Sequence, residues 1–438
     1  MTKQRPKLNL ILLRLSLAII DCKQKKLMIK KIFSLLLLTS LNTLIPAEAA
    51  VWNATNTWDA QAEKHYQHWV KTNWTEEFFM DPKKPLYYKI EHDCADAVYL
   101  MRMIYAYEKK LPFVIHNAHK KGGLITNNKK TWDHLPPFQR MRKFMDYVSD
   151  STSTKTLRHD TYPIALNDLK PGDIYVAPGT HSYQIVNITE TGVAEVMAST
   201  TPKAPRFLSR ISSFPFYIPE DIKSKSDGYR RFIQPQNIRK AMYKQPRYSA
   251  EQYTIAANVK YNYVAFTDII ARRLGKRPER TAEKTLRLLI ALCMYSNDRS
   301  VYIYDALWHL QKIRKNGRQC MTRQEYDNYS TPSRDKRLTA FFISVKQHLD
   351  KTWKLNSQHE AQIIAATIFR KDPPPPRETK LTNDFCMVEM SLGEGYYMPL
   401  RELWQNIRAK QLVSDPHAPL EARWGINAKN YKPSCPTY

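Results

Sequence analysis

The chain has 438 residues, of which 43% are hydrophobic and 25% charged, so it can bury an ordinary core and is excluded from the wholly disordered class. Its length suggests two or three domains. Lys and Arg outnumber Asp and Glu by 68 to 41, a formal charge of +27, and such an excess favours anionic partners: nucleic acid, anionic lipid or acidic cell-wall polymers.

Residues 28–50, "MIKKIFSLLLLTSLNTLIPAEAA", have a basic start, an apolar run and an A-x-A ending at Ala47-Glu48-Ala49. This is the layout of a secretory signal peptide, and it places the mature protein outside the cytoplasm, secreted or periplasmic. The first 27 residues are either an over-long basic n-region, making 1–50 one targeting segment, or the product of a start upstream of the true one at Met28. No cysteine directly follows the apolar run, and no later stretch approaches the roughly 18 to 20 apolar residues of a membrane span. The expectation is therefore no integral membrane segment after cleavage. Within 51–438 Lys and Arg still exceed Asp and Glu, by 59 to 39.

Of the six cysteines, Cys22 precedes the cleavage site, leaving Cys94, Cys293, Cys320, Cys386 and Cys435. Five is odd, and an odd thiol in an oxidising compartment stands out. The four later cysteines are able to form two disulfides in one C-terminal region, in a pairing the spacing leaves open, and Cys94 is left over.

Residues 51–80 carry Trp58, His65, Trp69 and Trp74 on a loosely helical repeat. From Asp93 an amphipathic helix is predicted, with Ala97, Leu100, Met101, Ile104 and Tyr105 at the spacing of a buried stripe. Asp93 fits its N-cap, placing Cys94 at the first helical position, where the dipole and unpaired N–H groups favour thiolate. The stripe Tyr99, Tyr105 and Tyr107 reads as core and groove lining, and His92 as solvent-facing. "HNAH", His116 to His119, finds no zinc-ligand partners, so no metal and no cofactor are expected.

In residues 166–200 the pattern changes to short strands. Pro171-Gly172-Asp173 and Pro178-Gly179 mark turns, and "IYVA", "HSYQIVNI" and "GVAEVMA" read as three successive antiparallel strands, the last turn lying at Thr189 to Gly192. His181 opens the middle strand. "SDGYRRFIQP", 226–235, reads as a final strand, with Pro235 as the domain boundary.

Asp93-Cys94-Ala95 opening an apolar helix, Leu169-Lys170-Pro171-Gly172-Asp173-Ile174 leading into a strand, and Gly179-Thr180-His181 opening the next together resemble the NlpC/P60 group of papain-like cell-wall peptidases and amidases, with the related CHAP amidases. The resemblance covers about residues 85–235. It implies an α+β fold in which a papain-like domain, 51–235, packs a helix on an antiparallel sheet, followed by a mainly α-helical region, 236–438. It also implies Cys94 as nucleophile, His181 as its base, and a third polar residue orienting the histidine. Ser199 is the candidate for that third position, a bound water the alternative. Asp93 and Tyr88 are the expected substrate-side residues. The family has Ser-Gly after Asp-Cys; this chain has Ala95-Asp96.

Such a dyad performs acyl transfer: thiolate attacks an amide or ester carbonyl, histidine protonates the leaving group, and backbone N–H groups at the helix start hold the oxyanion. The expected activity is hydrolysis of an amide in peptidoglycan stem peptides. The alternatives are acyl transfer or lipid or ester hydrolysis on the same pair, or non-catalytic envelope binding on a degenerate scaffold.

The remainder reads as helices: "TAEKTLRLLIALCMYS", "VYIYDALWHLQKIRK", "RLTAFFISVKQHL" and "EAQIIAATIFRK". Pro373 to Pro376 read as an extended connector. In "YDNYSTPSRDKRL", Ser333 or Asp335 is expected to cap a helix beginning near Arg337, while Arg334 with Asp335 is the alternative as an anion contact. Basic residues are spread along this region and not gathered into one stripe, which argues against a nucleic-acid groove. The expected partner is peptidoglycan or another anionic envelope polymer.

Overall fold

The computed structural model describes residues 50–438 apart from 121, 178–180, 212–217 and 354–358. The expected signal peptide, with its Ala47-Glu48-Ala49 end, and the Pro178-Gly179 turn lie outside the described residues. Val51–Tyr438 form one compact unit.

The first part runs α1 (Ala60–Asn73), α2 (Cys94–Glu108), the small hairpin β1 (Val114–His116) and β2 (Leu124–Thr126), α3 (Pro137–Asp150) and the single turn α4 (Leu157–Asp160). The strands β3 (Thr161–Pro163), β4 (Ile174–Ala177), β5 (His181–Ile188), β6 (Ala194–Ala198), β7 (Ser209–Ile211) and β8 (Gly228–Phe232) then make a sheet of order β3-β8-β4-β5-β6-β7. Every pairing is antiparallel. Next come α5 (Glu251–Asn258), α6 (Tyr263–Leu274), α7 (Thr281–Lys315), α8 (Arg323–Tyr329), α9 (Pro332–Thr352), α10 (Glu360–Phe369) and α11 (Pro376–Phe385). The hairpin β9 (Met387–Glu389) and β10 (Tyr397–Pro399), α12 (Leu400–Arg408) and α13 (Leu420–Arg423) complete the chain.

The strands match the alternation read in the sequence because both faces of the sheet are covered and each strand divides its side chains between them. On one face Ile174, Val176, Val186, Met197 and Phe232 pack with Val98, Met101 and Tyr105 of α2 and with Trp69 and Val70 of α1. On the other, Tyr175, Tyr183, Ile185, Val196 and Tyr229 run into one core with Leu288, Leu292 and Ile303 of α7 and with Phe341 and Phe342 of α9. The helical region is the third layer of the sheet.

Several local expectations change. α2 is buried at every position from Cys94 to Ala106, not along one stripe, because the sheet, α1 and α3 surround it. Even Arg102 is inside, its guanidinium 3.5 Å from the centre of the Trp58 ring and paired with Glu63 at 3.1 and 2.9 Å. The two helical runs of 281–315 are one 35-residue helix, since nothing between Tyr295 and Val301 breaks it and Ser296 returns its hydroxyl to the Leu292 carbonyl at 2.7 Å. The last proline of 373–376 begins α11, where its missing N–H costs nothing. α9 starts at Pro332 after Thr331, five residues before Arg337. Cys293 pairs with Cys386 and Cys320 with Cys435, both within the helical region, and Cys94 is free. Among the described residues no helix is long and apolar enough to cross a membrane.

Candidate functional site

Asp93 caps α2 as expected: its Oδ1 accepts from the N–H groups of Ala95 and Asp96 at 2.8 and 3.0 Å. Asp96, the departure from the family pattern, closes the capping box by accepting the Asp93 N–H at 3.0 Å. Two consequences follow. The Ala95 and Asp96 N–H groups expected to serve an oxyanion are spent on Asp93; the Cys94 N–H is the first-turn donor with no partner among the described residues. The carboxylate that stabilises the helix also opposes charge on sulfur.

Cys94 is buried, at 3% exposure. Burial, then Asp93, pushes its thiol up to about 12, against the pull of the Ser182 backbone N–H and of Arg334. The helix dipole therefore does not hold a resting thiolate here, because desolvation is the larger effect. Asp96 is likewise pushed up by burial and by Asp93, to about 8.

α2 packs against β5. The contact is made by Ser182, whose hydroxyl donates to the Cys94 carbonyl at 2.9 Å. Alternation puts Ser182 and Gln184 toward the α1 and α2 side, where Trp74 donates its indole N–H to Gln184 at 3.0 Å. His181 and Tyr183 share the opposite face, their rings edge-on at 4.5 Å, and both line a cavity with the helical region. Burial, and after it Arg337 and Arg334, hold the His181 imidazole well below its ordinary value, so it is neutral. Cys94 and His181 thus come to adjacent elements, and among the described residues no hydrogen bond joins them.

Ser199 lies on the α2 side of β6, and its hydroxyl is 2.8 Å from Nδ1 of His92, not on His181. His92 is fully buried, the reverse of the solvent-facing position expected. It bridges backbone to Ala204 in both directions, at 3.2 and 3.4 Å, and its ring lies 4.3 Å from that of Phe79. Burial, then Arg206, lowers it to about 3, and its Nε2 has no partner among the described residues. No local signal marks His92, since the residues that bury it come from 79 and 199–206. Tyr88 is half-buried; its carbonyl accepts from Arg142 at 3.1 Å and Lys89 lies over its ring.

Asp173 of the Pro-Gly-Asp turn is structural. It receives Arg231 from β8 at 2.7 and 2.8 Å, and Arg231 also reaches Asp168 at 2.9 Å. The cavity beside His181 adds residues that sequence did not assemble: Asp298 and Tyr302 from α7, and Arg334 and Arg337 from α9. Ser333 and Asp335 lie inside α9 and neither caps it; Asp335 pairs with Arg299 at 2.7 and 3.1 Å and accepts from Thr331 and Ser414 at 2.9 and 2.7 Å. Among the described residues no group of three His, Cys, Asp or Glu side chains forms a metal site.

No family model matches this chain, and neither a curated protein nor a solved structure matches it.

Proposed function

We propose that the protein is an exported cysteine hydrolase that cleaves an amide bond in an anionic envelope polymer, most simply in peptidoglycan stem peptides. The observation that carries the reading is the pairing of a capped helix opening on Cys94 with the central strand of an antiparallel sheet opening on His181. The resemblance to NlpC/P60 hydrolases, noted from the short motifs, points the same way.

Because both groups are neutral at rest, the reaction starts from thiol and imidazole. The Cys94 S–H proton passes to imidazole as the sulfur–carbon bond forms; the imidazolium then protonates the leaving nitrogen, and water hydrolyses the thioester. The Cys94 N–H is the donor left to face the oxyanion.

A second reading has its own observation. The burial of Cys94 and the position of His181 on the opposite face from Ser182 favour a non-catalytic envelope-binding protein in which Cys94 is a packing residue.

Purified sacculi separate the two. The hydrolase reading expects residues 51–438 to release soluble fragments with new amino groups, Cys94→Ala to lose release on the order of a thousandfold or more, and both to sediment with sacculi. Equal release by Cys94→Ala contradicts Cys94 as nucleophile; sedimentation of the unmutated chain without release favours the binder.

A further inference from the structure

On the Tyr183 face of the sheet lies a cavity of about 450 Å³ between β5, α7 and the first turns of α9. Tyr302 lies between groups of opposite charge. The Arg334 guanidinium lies over its ring, 3.7 Å from the centre, and its hydroxyl donates to Asp298 at 3.0 Å. Arg334 is steadied further by the Thr201 hydroxyl at 3.1 Å.

The frame around these groups is tied together by a buried ion pair. Arg299, which also faces the cavity, is committed to Asp335, and that carboxylate ties the opening turn of α9 to α7 and to Ser414. α9 begins with no side-chain cap, so the positive end of a 21-residue helix faces the cavity beside Ser333. His181 reaches it from the sheet, 8% exposed.

A purely anionic ligand would meet Asp298, and a purely cationic one would meet two arginines and a helix N-terminus. We infer that the cavity takes an amino-acid head group, an ammonium and a carboxylate on one carbon, as a free amino acid or an amino-acid side arm of a polymer presents. The carboxylate sits against Arg334, Arg337 and the start of α9; the ammonium sits against Asp298, with His181 as acceptor or donor to the same unit. This deepens the proposed function, on which it rests for the source of the ligand.

The test uses residues 51–438 and isothermal titration with D- and L-alanine, N-acetylalanine and alaninamide. At least one hand of alanine binds saturably, and both blocked forms bind at least about tenfold more weakly, the size of one charged hydrogen bond. Asp298→Asn removes the preference over N-acetylalanine, and Arg337→Gln removes the preference over alaninamide. Equal binding of free and blocked forms, or no saturable binding of either hand of alanine, overturns the inference; the probes act on the unmutated protein, so a misfolded variant does not obscure the result. Fragment release from sacculi without alanine binding defeats this inference alone, and alanine binding without release defeats the hydrolase reading alone.

Discussion

At the scale of single residues, burial decides protonation more than neighbouring charge does. His92 shows it most plainly: enclosed by Phe79, Ser199 and the Arg206 segment, it is lowered to about 3. Its folded value lies below the unfolded one of about 6.5, so the unfolded chain binds the extra proton as pH falls, and stability is lost from about pH 6.5 downward. Asp96, raised to about 8, works in the opposite direction over the same range, so the histidine must be isolated by substitution. Denaturant titrations at pH 7 and pH 5 are expected to show a smaller acid loss in His92→Phe than in the unmutated chain, by about 2 kcal/mol; equal losses would mean that His92 is solvated. The places of Asp93 and Cys94 at the start of α2 and of His181 at the start of β5 were legible because each sits at the end of a periodic run. The protonation of Cys94 and His181 was not, since it depends on what covers them.

At the scale of elements, α2 is held by its cap and by its environment. Asp93→Ala removes the hydrogen bonds to Ala95 and Asp96 and is expected to cost about 1 kcal/mol in chemical denaturation. It also removes the carboxylate that raises the Cys94 thiol, so the same variant should be alkylated by iodoacetamide faster at a given pH. A stability loss with unchanged alkylation would show that burial alone sets the thiol. Alternation made β4, β5 and β6 legible almost to the residue, because each face of the sheet is committed to a different layer. The unbroken course of α7 was not legible, since Ser296 to Ser300 look polar in sequence and find their partners in the helix itself and in β9, α9 and α13.

At the scale of the whole molecule, the sheet cannot be covered by its own N-terminal helices. Tyr175, Tyr183, Ile185, Val196 and Tyr229 share a core with α7 and α9, so a chain ending at residue 235 would expose a broad apolar face. Residues 51–235 alone are expected to be insoluble or to bind hydrophobic dye, whereas 51–438 unfolds in one transition; a soluble, dye-silent fragment would show that the sheet is self-sufficient. The cavity was illegible for the same reason: Thr201 and Arg334, which touch across it, are 133 residues apart, and no local pattern links β5 to α9.

The claim that Cys94 is a nucleophile is tested most directly by its covalent intermediate. Residues 51–438 mixed with soluble peptidoglycan fragments and quenched in acid should show, by peptide mass spectrometry, an acyl adduct on the peptide carrying Cys94, and none in His181→Ala, where the proton acceptor is gone. Fragment cleavage with no adduct at Cys94, or an adduct elsewhere in the chain, would contradict the account.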